Sequence, residues 1–98
     1  MQRTALVTGA TAGFGAAICR TLIENGYRVI GTGRRVARLE QLQQELGENF
    51  HFLAFDISDR QATEDAFHSL PTNWQSIDLL VNNAGLGLGL ESADKASL

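Results

Sequence analysis

The sequence predicts an α/β fold in which helices cover both faces of a parallel sheet. Short apolar segments alternate with longer segments whose apolar residues recur at helical spacing, in the order βαβαβαβ. The apolar segments contain few polar residues, which is typical of strands buried on both faces. A glycine-rich turn follows the first of them. Because helical crossovers between parallel strands are right-handed, these observations predict a doubly wound sheet with neighbour order 3-2-1-4.

Length, composition and charge restrict the domain organisation and the partners that this protein can have. Ninety-eight residues, 44% of them apolar, suit one compact unit, and we interpret residues 1–98 as the N-terminal part of a single domain. The net charge of −3 argues against a nucleic-acid partner. The single Cys19 cannot form an intramolecular disulfide, and no signal-peptide segment follows Met1, which favours the cytoplasm. No apolar stretch approaches the ~20 residues that span a bilayer, so we expect no membrane partner.

The first two strands and helices are predicted from their own patterns. Residues 4–8 form an apolar strand, and helical spacing over residues 13–25 predicts a helix that Gly26 ends. Residues 27–32 form the second strand. The second helix has its apolar side chains on one face and ends at Gly47.

The third helix connects the last two strands, which are residues 50–55 and 77–81. Ser58 and Gln61 have the spacing of a capping box, so Ser58 is the predicted N-cap of this helix. Pro71 prevents the helix from continuing, because proline lacks the N–H group and opposes the preceding turn. The side chains that this segment is predicted to bury are Ala62, Ala66, Phe67 and Leu70.

The fourth strand is predicted to lie at an open edge of the sheet. A glycine-rich segment follows it, and no fifth strand is predicted. An open apolar edge usually needs more chain or a partner to cover it. We therefore interpret the sheet as incomplete, and we expect the chain alone to be marginally stable and to self-associate.

The turn after the first strand predicts a binding site for a phosphorylated cofactor. Gly9, Gly13 and Gly15 permit backbone conformations and close approaches that a Cβ atom would forbid. The first turn of the following helix offers N–H groups without intrahelical partners, which attract an anion. The alternative is a glycine-rich turn kept for tight packing. A strand before the turn, a helix after it and a second strand ending about 20 residues later favour the cofactor.

The residues after the second strand predict which dinucleotide binds. An acidic residue there would hold a ribose diol, but the chain has Arg34 and Arg35. Guanidinium groups bind phosphate through paired, charge-assisted hydrogen bonds, so NADP is favoured over NAD, with Arg34 the first candidate for the 2′-phosphate. The alternative is that both, with Arg38, form the solvated start of a helix. Positive charge in a first helical turn costs about 0.3 to 1 kcal/mol per charge, which favours a bound anion.

Polar residues also follow the third and fourth strands. Asp56 can accept a hydrogen bond from an adenine amino group while Ile57 packs beside the ring, or it can stabilise a turn. The two roles are compatible, and the spacing favours neither. Asn82 and Asn83 can fix neighbouring backbone and also reach a ribose. His51, His68 and Cys19 lack neighbours at metal-ligand spacing, so we predict no metal site and a packing role for Cys19.

These motifs together resemble the short-chain dehydrogenase/reductase family. The matching segments are TGATAGFG at residues 8–15, DI at residues 56–57 and NNAG at residues 82–85, and the match extends to about Leu90. The segments GATAGFG, TGRR and VNNAGL look most like the bacterial NADP-dependent serine/3-hydroxy acid dehydrogenase branch. The resemblance implies a Rossmann-type fold, with the pyrophosphate along residues 9–14, the 2′-phosphate on Arg34 and Arg35, the adenine on Asp56 and Ile57, and a ribose on Asn83. The cofactor-binding residues predicted in this way are Gly9, Ala10, Thr11, Ala12, Gly13, Phe14, Gly15, Arg34, Arg35, Asp56, Ile57 and Asn83.

The catalytic residues of the family have no counterpart in the chain. Family members use a serine and a Tyr-x-x-x-Lys pair, in which tyrosine is the acid/base and lysine lowers its pKa. The single Tyr27 is followed four residues later by Gly31, and the single lysine is Lys95. We therefore assign no catalytic residue. We expect an intact parent to be an oxidoreductase, a homo-oligomer acting on a small hydroxyl or carbonyl substrate, and the chain alone to be inactive.

Two other functions are compatible with parts of the pattern. A non-catalytic NADP-binding sensor or regulatory module would explain the missing catalytic pair. A methyl-donor-binding fold is disfavoured, because such sites also need an acidic residue after the second strand.

Overall fold

A computed structural model describes residues 2–11 and 14–83 of the chain. Strands and helices alternate along these residues, as the apolar patterning predicts. The third helix is followed by a short 3₁₀ turn at Thr72–Trp74, and the second by another at Gly47–Asn49. The main elements are β1 (Thr4–Thr8), α1 (Gly15–Glu24), β2 (Arg28–Gly33), α2 (Val36–Leu46), β3 (Phe50–Ala54), α3 (Arg60–His68) and β4 (Leu79–Asn82).

The sheet is parallel throughout, with strand order β3-β2-β1-β4. The predicted order is confirmed. β1 lies at the centre, pairing Leu6 with Ile30 on one side and with Leu80 on the other. All five residues of β1 are buried, because helices cover both faces of the central strands.

Two apolar clusters form the core, one on each face of the sheet. The first joins the sheet to α1 and α2, and Cys19, Leu39 and Leu42 are its helical members. The second joins the opposite face to α3 and the segment after it, through Phe67 and Leu70. The structure therefore has the two helical layers of a doubly wound fold.

Two glycines end helices as predicted. Gly26 has φ 91° and follows α1, and Gly47 has φ 80° and follows α2. Both conformations favour glycine, because a Cβ atom is disfavoured at positive φ. α1 is described from Gly15 rather than from residue 13, which lies outside the described residues, and it ends at Glu24.

The predicted capping box of α3 is wrong. Asp59, not Ser58, is the N-cap, and its carboxylate accepts a hydrogen bond from the Ala62 N–H at 3.0 Å. Ser58 is displaced from this role because its hydroxyl donates to Asp56 Oδ1 at 2.7 Å. Gln61 donates to Asp65 instead of reaching back, so the helix begins one residue later than predicted.

α3 is less buried than its apolar pattern predicts. Ala62, Ala66 and Phe67 are only half-buried, and Leu70, which follows the helix, is 3% exposed. No helix within residues 2–11 and 14–83 has both the length and the apolar character to cross a bilayer.

A cation–aromatic cluster closes the amino-terminal end of the sheet. The guanidinium carbon of Arg28 lies 4.2 Å from the centroid of the Trp74 ring. Arg28 Nη2 donates to the Thr4 hydroxyl at 2.9 Å and to the Asn73 carbonyl at 2.6 Å. The ring of His51 lies 5.4 Å from that of Trp74. Trp74 therefore covers this end of the sheet and links β2 and β3 to the segment before β4.

Burial of His51 in this cluster predicts a pH-dependent stability. Burial lowers the pKa of His51 below its ordinary value of 6.5, so the folded chain binds its proton less tightly than the unfolded chain does. The free energy of unfolding should therefore fall as the pH drops through 6.5 toward the folded pKa, and be fully present above 6.5. Urea unfolding at pH 8.0 and pH 5.5 measures this difference.

The matched control for this prediction is the other histidine. His51→Gln should reduce the pH dependence between these two values, and His68→Gln, at an exposed position of α3, is the matched histidine substitution against which this reduction is judged. The carboxylates with lowered pKa, Glu45 and Asp56, titrate below this window because their ordinary values are 4.5 and 3.8. The same pH dependence in the His51→Gln variant and the unmodified chain would contradict the assignment.

Candidate cofactor-binding site

The predicted site residues lie where the four strands end. In a parallel sheet the carboxyl ends of all strands meet at one edge, which is where α/β proteins bind ligands. Gly9 follows β1, Arg34 follows β2 and Asn83 follows β4. Asp56 stands two residues beyond the end of β3. One edge of the sheet therefore carries every described residue of the predicted site.

The glycine-rich turn is held against the second strand. Gly9 has φ 64°, a conformation that favours glycine. The N–H of Ala10 donates to the Thr32 carbonyl at 2.8 Å, and Ala10 is fully buried. Ala12 and Gly13 lie outside the described residues. The turn thus leaves β1 in a conformation that favours glycine, and a hydrogen bond to β2 fixes it.

Gly15 brings the first turn of α1 into contact with the same backbone. A Cβ atom at this position would lie 2.0 Å from the Gly9 carbonyl oxygen and 2.9 Å from two backbone atoms of Ala10. Phe14 is the N-cap and makes no side-chain capping hydrogen bond, and the first turn has no acidic residue. The ring of Phe14 is 74% exposed. The tight-packing role is therefore present, and the helix end that points to the sheet edge has the character of an anion site.

The end of β4 is attached to the turn by asparagine side chains. Asn83 Nδ2 donates to the Gly9 carbonyl at 3.0 Å, across 74 residues of sequence. The buried Thr8 hydroxyl lies 3.1 Å from Asn82 Oδ1, to which it can donate. The predicted backbone-fixing role is confirmed for Asn83, whereas Asn82 accepts a hydrogen bond from a side chain. The ribose contact of Asn83 stays a prediction.

Three arginines surround the start of α2. Arg34, Arg35 and Arg38 are all exposed, and Arg35 is the N-cap, without a side-chain capping hydrogen bond. The first turn of α2 contains no acidic residue. Positive charge here is unfavourable for the helix dipole, as the sequence indicates. Arg38 lines a groove together with Thr11 of the glycine-rich turn, so this end of α2 can bind an anion near the turn.

Asp56 forms the turn that was the alternative to its adenine contact. Its Oδ1 accepts hydrogen bonds from the Ser58 hydroxyl at 2.7 Å and the Ser58 N–H at 3.0 Å. These bonds, with a smaller effect of the Arg34 charge, lower the pKa of Asp56 below its usual value. Asp56 is therefore ionised near neutral pH, with Ile57 exposed beside it. A role toward adenine is compatible with this geometry and stays a prediction.

Cys19 is a packing residue. It is fully buried in α1, and burial raises the pKa of its thiol to about 12. A thiol that is not ionised at neutral pH is a poor nucleophile. In the part of the chain that the structure describes, no three His, Cys, Asp or Glu side chains form a group that could hold a metal ion.

Gly31 also shapes the site, although it is not among the residues predicted from the sequence. A Cβ atom at Gly31 would lie 2.6 Å from the Phe50 ring and 2.8 Å from the Ala10 Cβ atom. Gly31 therefore lets the glycine-rich turn and Phe50 pack against β2. A glycine inside an apolar strand is the sequence signal for such a close approach.

Comparison with known proteins agrees with this geometry. The family model described as short chain dehydrogenase matches residues 3–97. A probable NADP-dependent dehydrogenase of Haemophilus influenzae is 67% identical over 95 residues, which cover 97% of this chain and 38% of the relative. The serine 3-dehydrogenase of Agrobacterium fabrum is 54% identical over 98 residues, which cover 100% of this chain and 39% of the relative. The chain thus spans about two fifths of the length of these relatives.

Solved structures show the same arrangement. Serine dehydrogenase from Escherichia coli superposes with a TM-score of 0.80 at 51% identity, covering 82% of this chain and 37% of that one. The closed form of serine dehydrogenase complexed with NADP⁺ gives a TM-score of 0.79 at 51% identity, covering 82% of this chain and 32% of that one. The family match extends over nearly the whole chain, and the sheet order and the glycine-rich turn agree with it. The chain belongs to the short-chain dehydrogenase family.

Proposed function

We propose that this chain forms the NADP-binding part of a dehydrogenase that moves a hydride between NADP and a small hydroxyl or carbonyl substrate. The observation that carries the proposal is the meeting of two features at one sheet edge. The glycine-rich turn offers an anion site at the start of α1, and arginines stand in place of an acidic residue after β2. This combination favours a dinucleotide with an additional phosphate. Two relatives named as NADP-dependent or complexed with NADP⁺ support it.

The turn would hold the pyrophosphate. Its backbone N–H groups and the first turn of α1 supply donors and positive dipole charge without a competing side-chain cap. The close approach at Gly15 sets the position of these donors against β1. The proposed contacts run along Gly9, Ala10, Thr11, Ala12, Gly13, Phe14 and Gly15.

The remaining parts of the cofactor would lie along the same edge. Arg34 and Arg35 would hold the 2′-phosphate through charge-assisted hydrogen bonds. Asp56 would accept from the adenine amino group, with Ile57 against the ring. Asn83, whose side-chain amide donates to the Gly9 carbonyl, would also contact a ribose.

The hydride chemistry is supplied by the nicotinamide, and this chain contributes binding and orientation. Serine or a 3-hydroxy acid is the proposed substrate class, since relatives carry the names serine 3-dehydrogenase and, in Escherichia coli, NADP-dependent 3-hydroxy acid dehydrogenase. Residues 1–98 would then form the N-terminal part of a single cofactor-binding domain, to which residues outside this chain add the catalytic groups.

Calorimetric titration of the purified chain tests the proposal without relying on turnover. The matched probes are adenosine 2′,5′-bisphosphate and 5′-AMP, which differ only in the 2′-phosphate, together with NADP and NAD. We expect binding of NADP about tenfold or more tighter than binding of NAD, because a charge-assisted contact to phosphate contributes about 1.5 kcal/mol or more. Equal affinities within each pair, or no binding of NADP, would contradict the proposal.

A further inference from the structure

A groove runs between α1 and α2 from the glycine-rich turn. It has a volume of about 220 Å³ and opens to solvent. Ala16 and Leu42 form its apolar lining, while Thr11 and Arg38 belong to the end nearest the turn. Thr11 is the last described residue before Phe14, and Arg38 is the third residue of α2. The groove is thus continuous with the edge where the proposed cofactor site lies.

Of the two arginines that line the groove, one is paired with a carboxylate and the other is not, within the part of the chain that the structure describes. Arg20 and Glu45, which lie in the later turns of α1 and α2, form an ion pair in which Arg20 Nη2 donates to Glu45 Oε1 at 3.0 Å. These two charges compensate each other. Arg38 has no hydrogen bond or ion pair with any residue of the described ranges 2–11 and 14–83. The groove therefore keeps an uncompensated positive charge at the end beside the turn.

Geometry places this charge and a hydroxyl group next to the end of β2. Helical side chains lean toward the helix N-terminus, so Arg38 leans toward the carboxyl edge of the sheet. The Thr11 hydroxyl oxygen lies 3.5 Å from the position that a Cβ atom of Gly33 would occupy. Arg34 follows Gly33 directly. Thr11 and Arg38 both line this groove, and a hydroxyl group and a guanidinium group are donors that a phosphate monoester can use.

We propose that Arg38, together with Thr11, forms a second wall of the site for the 2′-phosphate, opposite Arg34, and that Arg38 is a specificity-determining residue for NADP. This inference rests on the proposed function, because it needs a dinucleotide bound at the turn. It extends that proposal to a residue inside α2 that the motif after β2 does not include. The phosphate would enter the groove at the end beside the turn. At the other end Arg20 and Glu45 neutralise each other, so Arg20 would not attract the phosphate.

The test compares Arg38→Gln with the matched variant Arg20→Gln in the same groove. Calorimetric titration of the chain with NADP, NAD, adenosine 2′,5′-bisphosphate and 5′-AMP gives four dissociation constants for each variant. Arg38→Gln should weaken binding of the two 2′-phosphorylated ligands about tenfold and leave NAD and 5′-AMP within about twofold. Arg20→Gln should leave all four within about twofold.

A conservative variant and the affinities of the unmodified chain separate a failure of this inference from a failure of the proposed function. Arg38→Lys should recover part of the lost affinity, since it keeps the charge but loses the paired geometry. Equal weakening of all four ligands, or no change in Arg38→Gln, would overturn the inference while NADP binding by the unmodified chain still supported the proposed function. Failure of the unmodified chain to bind NADP would instead overturn the proposed function itself. Unfolding midpoints of both variants show that the comparison is made on folded protein.

Discussion

Arg34→Asp is expected to raise the dissociation constant for NADP about 100-fold and to leave that for NAD unchanged or lower. The loss of a charge-assisted contact costs about 1.5 to 3 kcal/mol, and the new carboxylate adds repulsion toward the 2′-phosphate. The same carboxylate can accept hydrogen bonds from the ribose diol of NAD. Titration with both dinucleotides measures the ratio of the two constants.

Loss of stability is not expected to contribute to the change in affinity of Arg34→Asp. A negative charge just before α2 is favourable for the helix dipole, so the unfolding midpoint of Arg34→Asp should not fall. Asp56 stays ionised without Arg34, because hydrogen bonds from Ser58 are the larger cause of its low pKa. Arg60→Asp, at the exposed start of α3, is the control for a change of two charges elsewhere. An equal change for NADP and NAD would contradict the assignment of Arg34 to the 2′-phosphate.

Gly15→Ala is expected to lower the free energy of unfolding by about 3 kcal/mol or more and to abolish cofactor binding. The added Cβ atom would lie 2.0 Å from the Gly9 carbonyl oxygen. Relieving this clash requires the backbone of α1 or of the glycine-rich turn to move. Overpacking typically costs about 1 to 3 kcal/mol, and a clash between two backbone segments belongs at the upper end. Displacement of α1 would also move the N–H donors that are proposed to bind the pyrophosphate. Urea unfolding and titration with NADP measure the two effects.

Gly33→Ala is the matched control for stability. A Cβ atom at Gly33 would lie 3.5 Å from the Thr11 hydroxyl and 3.6 Å from the Leu39 side chain, which are ordinary contacts. This variant should therefore unfold within about 1 kcal/mol of the unmodified chain, by the range for substitutions without a cavity or clash. If Gly15→Ala unfolded at the same urea concentration as Gly33→Ala, the close approach of α1 to the turn would not be needed for stability.

Local patterns along the chain were sufficient to predict most of the fold. The alternation of apolar segments and helical spacing predicted the four strands and three helices, and the handedness of crossovers then predicted the order β3-β2-β1-β4. Gly26 and Gly47 were identified as helix ends because positive φ is a property of a single residue. The failure at Ser58 shows the limit of such patterns. Its hydroxyl had a competing acceptor in Asp56, and residue spacing does not rank two acceptors.

The sequence by itself determined the element order, the glycine-rich turn and the arginines that take the place of an acidic residue after β2. Only the tertiary structure decided how these parts meet. The bond from Asn83 to Gly9 and the groove that joins Thr11 to Arg38 both depend on elements that are distant in the chain. Propensity and spacing act over a few residues, whereas such contacts depend on the packing of whole helices against the sheet. The motifs of the site can therefore be recognised separately in the sequence, whereas the geometry of the site is determined by the packing of the helices against the sheet.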